Sequence, residues 1–415
     1  MLSGAREAAA VVVGGGIWGC AIAYHLARAG LGEVVVLERG ELASGNTPQA
    51  AGLVGQLRAS PLMCRSVQAV VRRLEGWARE HGEECGFRQV GSLKLALTDG
   101  RVRELEQHVS QARHWGLDVE LVSAKAAQAR VPFLDASEVR AAAWIPGDGY
   151  VEPYTLTMAI AGAARRLGVR FETGRPVTAI TLGGPARRAV RGVETPRGPV
   201  AAPRVVVAAG PWAEQVAASV GLAVDTVPLR HQHWTTAPMS ALPGDLPVVR
   251  VPDASVYIRP EVGGLLLGGF EARPKAFRMA DLPPTFEIEH TEKDLGVLEE
   301  LAGGLTRAFP ALAGAPVLKG CAGLPTFTPD GNYLLGAVPE VEGLWMAAGC
   351  NAVGIAGALL VGEWMAELVL DGRTAIDTAS QALTRFGTRY GDRARLGTDC
   401  EAIYGNFYSL DKGAF

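Results

Sequence analysis

A strand–glycine–helix–strand–acid sequence in the first forty residues constrains this chain most. Ala8 to Val13 is a compact apolar run ending in three valines, and Gly14-Gly15-Gly16-Ile17-Trp18-Gly19 follows it directly. A short, uninterrupted apolar run of this kind predicts a strand buried on both faces of a parallel sheet. Cys20 to Gly30 has helix-forming composition, with Gly30 placed as a C-cap. Glu33 to Glu38 then reads as a second strand, closed by an acid about 20 residues after the glycines. Each part has a job. Gly14 permits the sharp turn, Gly16 lets the backbone approach a pyrophosphate, and Gly19 lets helix and strand pack closely. The helix N-terminus offers free N–H groups and a positive dipole to the phosphates. Glu38 can accept hydrogen bonds from a ribose diol, and it disfavours a 2′-phosphate, which argues against NADP. A G-x-G-x-x-G alone is weak, but strand, glycines, helix, strand and acid in order point to a dinucleotide site. A Gly-rich turn in an unrelated α/β domain would leave Glu38 unexplained.

The length of 415 residues suggests two domains or one large interleaved one. A formal charge of −3 gives no reason to expect nucleic acid or an anionic membrane as partner. The six cysteines, Cys20, Cys64, Cys85, Cys321, Cys350 and Cys400, form no C-x-x-C pair, so no metal site is expected. They read as thiols of a reducing, cytoplasmic compartment. The apolar N-terminal run leads straight into the glycines and does not resemble a secretory signal. Ala352 to Leu370 is interrupted by Glu363 and Glu367, so a buried helix rather than a transmembrane segment is expected.

Past Glu38 the chain reads Ser44-Gly45-Asn46-Thr47-Pro48-Gln49-Ala50-Ala51-Gly52-Leu53-Val54. An NAD-linked dehydrogenase would continue with regular strand–helix alternation, whereas this segment looks like backbone wrapped around an extended ligand. Together with GDGYVEP (Gly147 to Pro153), VVVAAGPWA (Val205 to Ala213), PLRHQH (Pro228 to His233), VYIRPEVGGLLLGGFE (Val256 to Glu271), TPDGNYLLG (Thr328 to Gly336) and the glycine loop and helix after Ala347, it resembles the D-amino-acid oxidase-like flavoproteins. The likeness runs over nearly the whole chain and is strongest to their sarcosine and dimethylglycine oxidase/dehydrogenase branch.

The resemblance implies an α/β plus antiparallel-β fold, in which a Rossmann-like FAD-binding domain (1–90, 145–225 and 320–380) is interleaved with an antiparallel-sheet substrate domain (91–144 and 226–319), followed by a C-terminal tail (381–415). It implies FAD contacts at Gly14, Gly16, Ile17, Trp18, Gly19, Glu38 and Arg39. Ser44, Asn46, Thr47, Gln49, Ala50, Gly52 and Leu53 follow in the wrapping segment. Val177, Ala209, Gly210, Trp212, Gly323, Asp330, Gly349, Asn351, Val353 and Gly354 complete the set. The last glycine loop would bring a helix N-terminus to the flavin's pyrimidine end, where a positive dipole stabilises the reduced form.

Several family positions differ here. Dimethylglycine-type relatives bond FAD through a histidine where this chain has Gln49. Monomeric sarcosine oxidases use a cysteine near their T-P-D motif, and Cys321 falls close to that place but earlier. Non-covalent FAD is therefore expected. The lysine by which those oxidases promote reaction with oxygen is Leu266 here, and their carboxylate-binding lysine aligns with Ala356. Oxygen, a redox protein or a quinone remain open as electron acceptors.

His231 matches the histidine of the relatives' H-Q motif and is the first candidate for catalysis, followed by Tyr257. Their alternative reading is a hydrogen-bonded strand histidine and a cross-strand aromatic. His233 shares His231's strand face by the period of two. Arg259, at the same spacing from Tyr257, and Arg58 are candidates for binding a substrate carboxylate. The expected function is dehydrogenation of the C–N bond of a small amine or amino acid to an imine, with N-methyl amino acids such as sarcosine or dimethylglycine favoured. The flavin subunit of a hetero-oligomeric dehydrogenase and a non-catalytic FAD-binding protein are the alternatives; either a hetero- or a homo-oligomer is compatible.

Overall fold

The computed structural model describes residues 7–184, 188–239 and 242–408, so the ends of the expected first domain and of the expected tail lie outside the described residues. The first strand, Ala10–Val13, sits near the middle of a six-stranded sheet. The order is Leu334–Ala337, Leu344–Ala348, Val205–Val207, Ala10–Val13, Val34–Leu37, Arg170–Glu172. All neighbours are parallel except the first pair. Val12 and Val36 point into an apolar cluster with the helices Ile17–Arg28, Pro153–Arg166 and Gly354–Asp371. Val11, Val13, Val35 and Leu37 point into a second cluster on the other face. Burial on both faces is why these strands read as unbroken valine runs.

The glycines act as expected. Gly14 holds φ at +112°, in the region glycine favours, and Gly19 packs so tightly that a Cβ there would stand 1.9 Å from the Gly14 carbonyl oxygen. The helix Gly354–Asp371 crosses Ile17–Arg28 equally closely, since a Cβ on Gly362 would lie 2.7 Å from the Ala21 backbone. Among the described residues no helix is long and apolar enough to cross a membrane.

The second layer is an eight-stranded sheet. Its order is Val317–Gly323, His231–Thr236, Gly264–Gly269, Val256–Glu261, Val248–Val251, Ser92–Ala96, Ala141–Ile145, Glu120–Val122. It is antiparallel apart from one parallel join between Val248–Val251 and Ser92–Ala96. The expected boundary after residue 319 cuts the strand Val317–Gly323, which pairs along His231–Thr236 with one register shift between Thr235 and Thr236. The C-terminal segment carries the helix Arg393–Gly405, whose Cys400 and Tyr404 are fully buried against Tyr257 and Phe327.

Gly19→Ala is expected to destabilise the protein by about 3 kcal/mol or more, the upper end of overpacking costs. Comparison of chemical unfolding midpoints for the two proteins checks this; an unchanged midpoint would show that the turn relaxes at little cost.

Candidate functional site

A cavity of about 850 Å³ runs between the two sheets. At one end it passes Gly14, Gly16 and the N-terminus of the helix Ile17–Arg28, where the N-cap Gly16 offers no side chain and the Ile17 N–H donates to Thr47 Oγ1 at 3.2 Å. A Cβ on Gly16 would meet nothing but Thr47 Oγ1, at 3.2 Å, so that glycine leaves open space in front of the helix end. Glu38 lines the wall here and accepts hydrogen bonds from the N–H groups of Gly15 (2.6 Å) and Gly40 (2.8 Å). Burial raises its pKa. Arg39 stacks over the Trp212 ring at 4.5 Å and donates to the carbonyl of Pro284 at 3.0 Å. It thus ties the segment around Met279–Glu287 over this end of the cavity.

At the other end the cavity meets the N-terminus of the helix Gly354–Asp371, which has no side-chain cap. Asn351 and Ala352 lead into it with φ of +46° and +56°, a strained backbone for non-glycine residues. Trp18 Nε1 donates to the Gly354 carbonyl at 2.9 Å, joining the two helix ends.

Opposite stands His231. Its Nε2 lies 2.8 Å from the Tyr257 hydroxyl and its Nδ1 2.9 Å from the Tyr404 hydroxyl. Gly268 makes the first contact possible, because a Cβ there would fall 2.4 Å from the Tyr257 oxygen. Arg58 and Arg250 line the same end, with Phe270, Phe407 and Tyr408. One fully buried carboxylate serves them: Asp148 lies 3.5 Å from Arg250 and also accepts hydrogen bonds from Ser92 and Gln56. Burial and the neighbouring Arg250 lower the pKa of Arg58. Among the described residues, two guanidiniums face one carboxylate at this end of the cavity, an excess of positive charge.

The family model described as FAD dependent oxidoreductase matches residues 9–368. The chain belongs to that family. It is 33% identical over 389 residues to the mitochondrial dimethylglycine dehydrogenase of Rattus norvegicus, covering 92% of this chain and 45% of that protein. It is 30% identical to the mitochondrial pyruvate dehydrogenase phosphatase regulatory subunit of Mus musculus, over 94% of this chain and 44% of that protein. The chain thus spans about half the length of these relatives. The crystal structure of L-proline dehydrogenase from P. horikoshii superimposes with a TM-score of 0.82 at 28% identity, covering 92% of this chain and 98% of that one.

The cavity suits the family's cofactor, with the helix end behind Gly16 for a pyrophosphate, Glu38 for a ribose, and a second, uncapped helix end for the ring system. It brings together Gly14, Gly16, Ile17, Trp18, Glu38, Arg39, Ser44, Asn46, Thr47, Gln49, Ala50, Gly52, Leu53, Val177, Ala209, Gly210, Trp212, Gly323, Gly349, Val353 and Gly354, together with His231, Tyr257 and Arg58.

Five expected site residues lie outside the cavity wall. Gly19 is spent on helix–strand contact. Asp330 holds Arg385 through two 2.8 Å contacts. Asn351 is buried and accepts from the Thr328 N–H. Arg259 donates to the Ala51 carbonyl and pairs with Glu261, so it is no free carboxylate clamp. His233 is buried beside Cys321 in the neighbouring strand. Cys321 itself donates to Gln49 Oε1 at 2.9 Å and does not line the cavity. Arg250, Tyr404 and Tyr408 were not foreseen. The only signal for Arg250 was a cationic residue in an apolar strand, and for the tyrosines an aromatic cluster near the chain's end.

Burial, helped by nearby positive charge, pushes His25 and His231 down to about 3 and His233 to about 4. In the unfolded chain a histidine takes its proton near ~6.5. As pH falls below that value the unfolded state binds protons that the folded state refuses. Stability is therefore intact above the unfolded pKa and falls with acid, by up to about 1.4 kcal/mol per pH unit for each group. Unfolding by urea is expected to need progressively less denaturant from pH 7 to pH 5. His25→Gln should flatten that slope; an equal slope in the variant would remove His25 from the account.

Proposed function

We propose that the protein oxidises the C–N bond of a small amine that carries a carboxylate, with N-methyl amino acids such as sarcosine and dimethylglycine as the favoured class. One observation carries this reading: the neutral His231–Tyr257 pair faces the same end of the cavity as the two guanidiniums of Arg58 and Arg250. The likeness to proteins named for dimethylglycine and L-proline supports it.

Bound FAD would supply a hydride acceptor for the carbon beside the nitrogen, and the product of such an oxidation is an imine that water hydrolyses. The chain's residues do the rest. Arg58 and Arg250 hold the carboxylate by charge-assisted hydrogen bonds. Phe270 and Phe407, stacked with centroids 4.0 Å apart, exclude water from the wall beside His231. His231 stays uncharged, so it does not compete electrostatically with a developing iminium. The uncapped N-terminus of the helix Gly354–Asp371 offers N–H groups and positive dipole to negative charge on a reduced ring.

Gln49 has no nucleophile to offer and Cys321 is turned to Gln49, so we read the cofactor as non-covalent. Acid precipitation should leave the flavin in solution. Leu266 and Ala356 carry no charge, which favours a redox protein or quinone over oxygen as acceptor. Turnover with an artificial acceptor should then exceed turnover with oxygen.

A second reading, an FAD-binding subunit without its own reaction, draws on the likeness to the phosphatase regulatory subunit. Anaerobic addition of sarcosine, dimethylglycine, proline or glycine separates the two. Bleaching of the flavin band by one of them supports oxidation, and a band that none of them bleaches supports the subunit. Where bleaching occurs, Arg250→Gln is expected to weaken the substrate's apparent affinity by about 10- to 100-fold, as the loss of a hydrogen bond to a charged group implies. Unchanged affinity would sink the carboxylate assignment.

A further inference from the structure

We infer that Tyr404 is a positioning residue that fixes the tautomer of His231 and thereby makes Tyr257 a hydrogen-bond donor into the cavity. The argument starts outside the reacting end. Glu271 is almost fully buried. Its carboxylate is held by Arg230 (3.1 and 2.8 Å) and by Gln232 Nε2 (2.7 Å), and the carbonyl oxygen of that Gln232 side chain accepts from the Asp294 N–H at 2.7 Å. Glu271 is thereby locked in place, and its backbone N–H is directed at the Tyr404 oxygen, 3.5 Å away.

Tyr404 is wholly buried. Among the described residues its hydroxyl reaches two partners, the Glu271 N–H and His231 Nδ1. The first can only donate. The phenol proton must go to the second, because otherwise a buried O–H would be left without an acceptor. Nδ1 is then the bare nitrogen of a neutral imidazole, and Nε2 carries the hydrogen. Nε2–H donates to the Tyr257 oxygen at 2.8 Å. Among the described residues Tyr257 has no other hydrogen-bond partner, and it lines the cavity. Its own proton therefore points at whatever the cavity holds.

The consequence deepens the proposed function and rests on it only for the substrate's identity. Tyr257, Arg58 and Arg250 all present donors, so this end of the site matches an acceptor-only group, a carboxylate. The pair cannot take a proton from a cationic amine by relay, because Nε2 is already protonated.

The test reads the tautomer directly in the FAD-loaded protein, with no substrate present. Protein labelled with 15N-histidine is examined by long-range 1H–15N correlation, and the His231 signals are assigned by their loss in His231→Asn. The expected pattern is a protonated Nε2 and a bare Nδ1. Tyr257→Phe should keep that pattern. Tyr404→Phe should lose it, giving the Nδ1–H form or a mixture. A protonated Nδ1 in the unaltered protein would overturn the inference without any variant having to fold, and so would a Tyr404→Phe protein that keeps the original pattern. Neither outcome depends on whether any amine bleaches the flavin, so failure here and failure of the proposed function are read separately.

Discussion

The close crossing of the helices Ile17–Arg28 and Gly354–Asp371 is the constraint on which the rest depends. A Cβ on Gly362 would fall 2.7 Å from the Ala21 backbone, and Trp18 Nε1 reaches the Gly354 carbonyl at 2.9 Å. That contact brings two helix N-termini to one cavity, although more than 300 residues separate them in sequence. Each end carries partial positive charge and unsatisfied N–H groups. One lies at the Gly14–Gly16 end of the cavity and the other at the end facing His231, so a single packing decision orients both electrostatic supports open to an extended anionic cofactor.

The eight-stranded sheet supplies the other wall by cross-strand register. Tyr257 lies directly opposite Gly268 on one side and opposite Arg250 on the other. The glycine clears room for the phenol ring, and the arginine shares the ring's face. His231 then meets Tyr257 from two strands away. This polar cluster is stitched from behind by Glu271 and Arg230, so buried polar groups that would be costly alone satisfy one another.

Much of this was legible in the sequence, and the reasons are local. The Ala10–Val13 strand, the glycines and Glu38 carry their geometry in adjacent residues, where steric rules act over a few positions. His231 and Tyr257 were found because they sit in recognisable strand motifs. Arg259 was singled out and Arg250 was not, because period-two spacing predicts a shared face but not where a long side chain finds its partner. Arg259 is captured by the Ala51 carbonyl and Glu261, whereas Arg250 is placed by register with a strand whose offset no local rule encodes. Tyr404 and Tyr408 were not placed near the site for a related reason, since the docking of a C-terminal helix under a distant sheet is decided by packing alone. Asp330 and Asn351 show the converse: polar residues inside a motif can serve to brace the loop that bears it.

The strap held by Arg39 has a consequence for how the two layers are joined. Segment Met279–Glu287 is laid across one mouth of the cavity, fastened by a guanidinium that grips carbonyl oxygens and an indole face. That segment belongs, in chain order, to the stretch between the strands Gly264–Gly269 and Val317–Gly323 of the second sheet, whereas Arg39 follows the strand Val34–Leu37 of the first. One guanidinium therefore fastens the two layers to each other at the mouth they share.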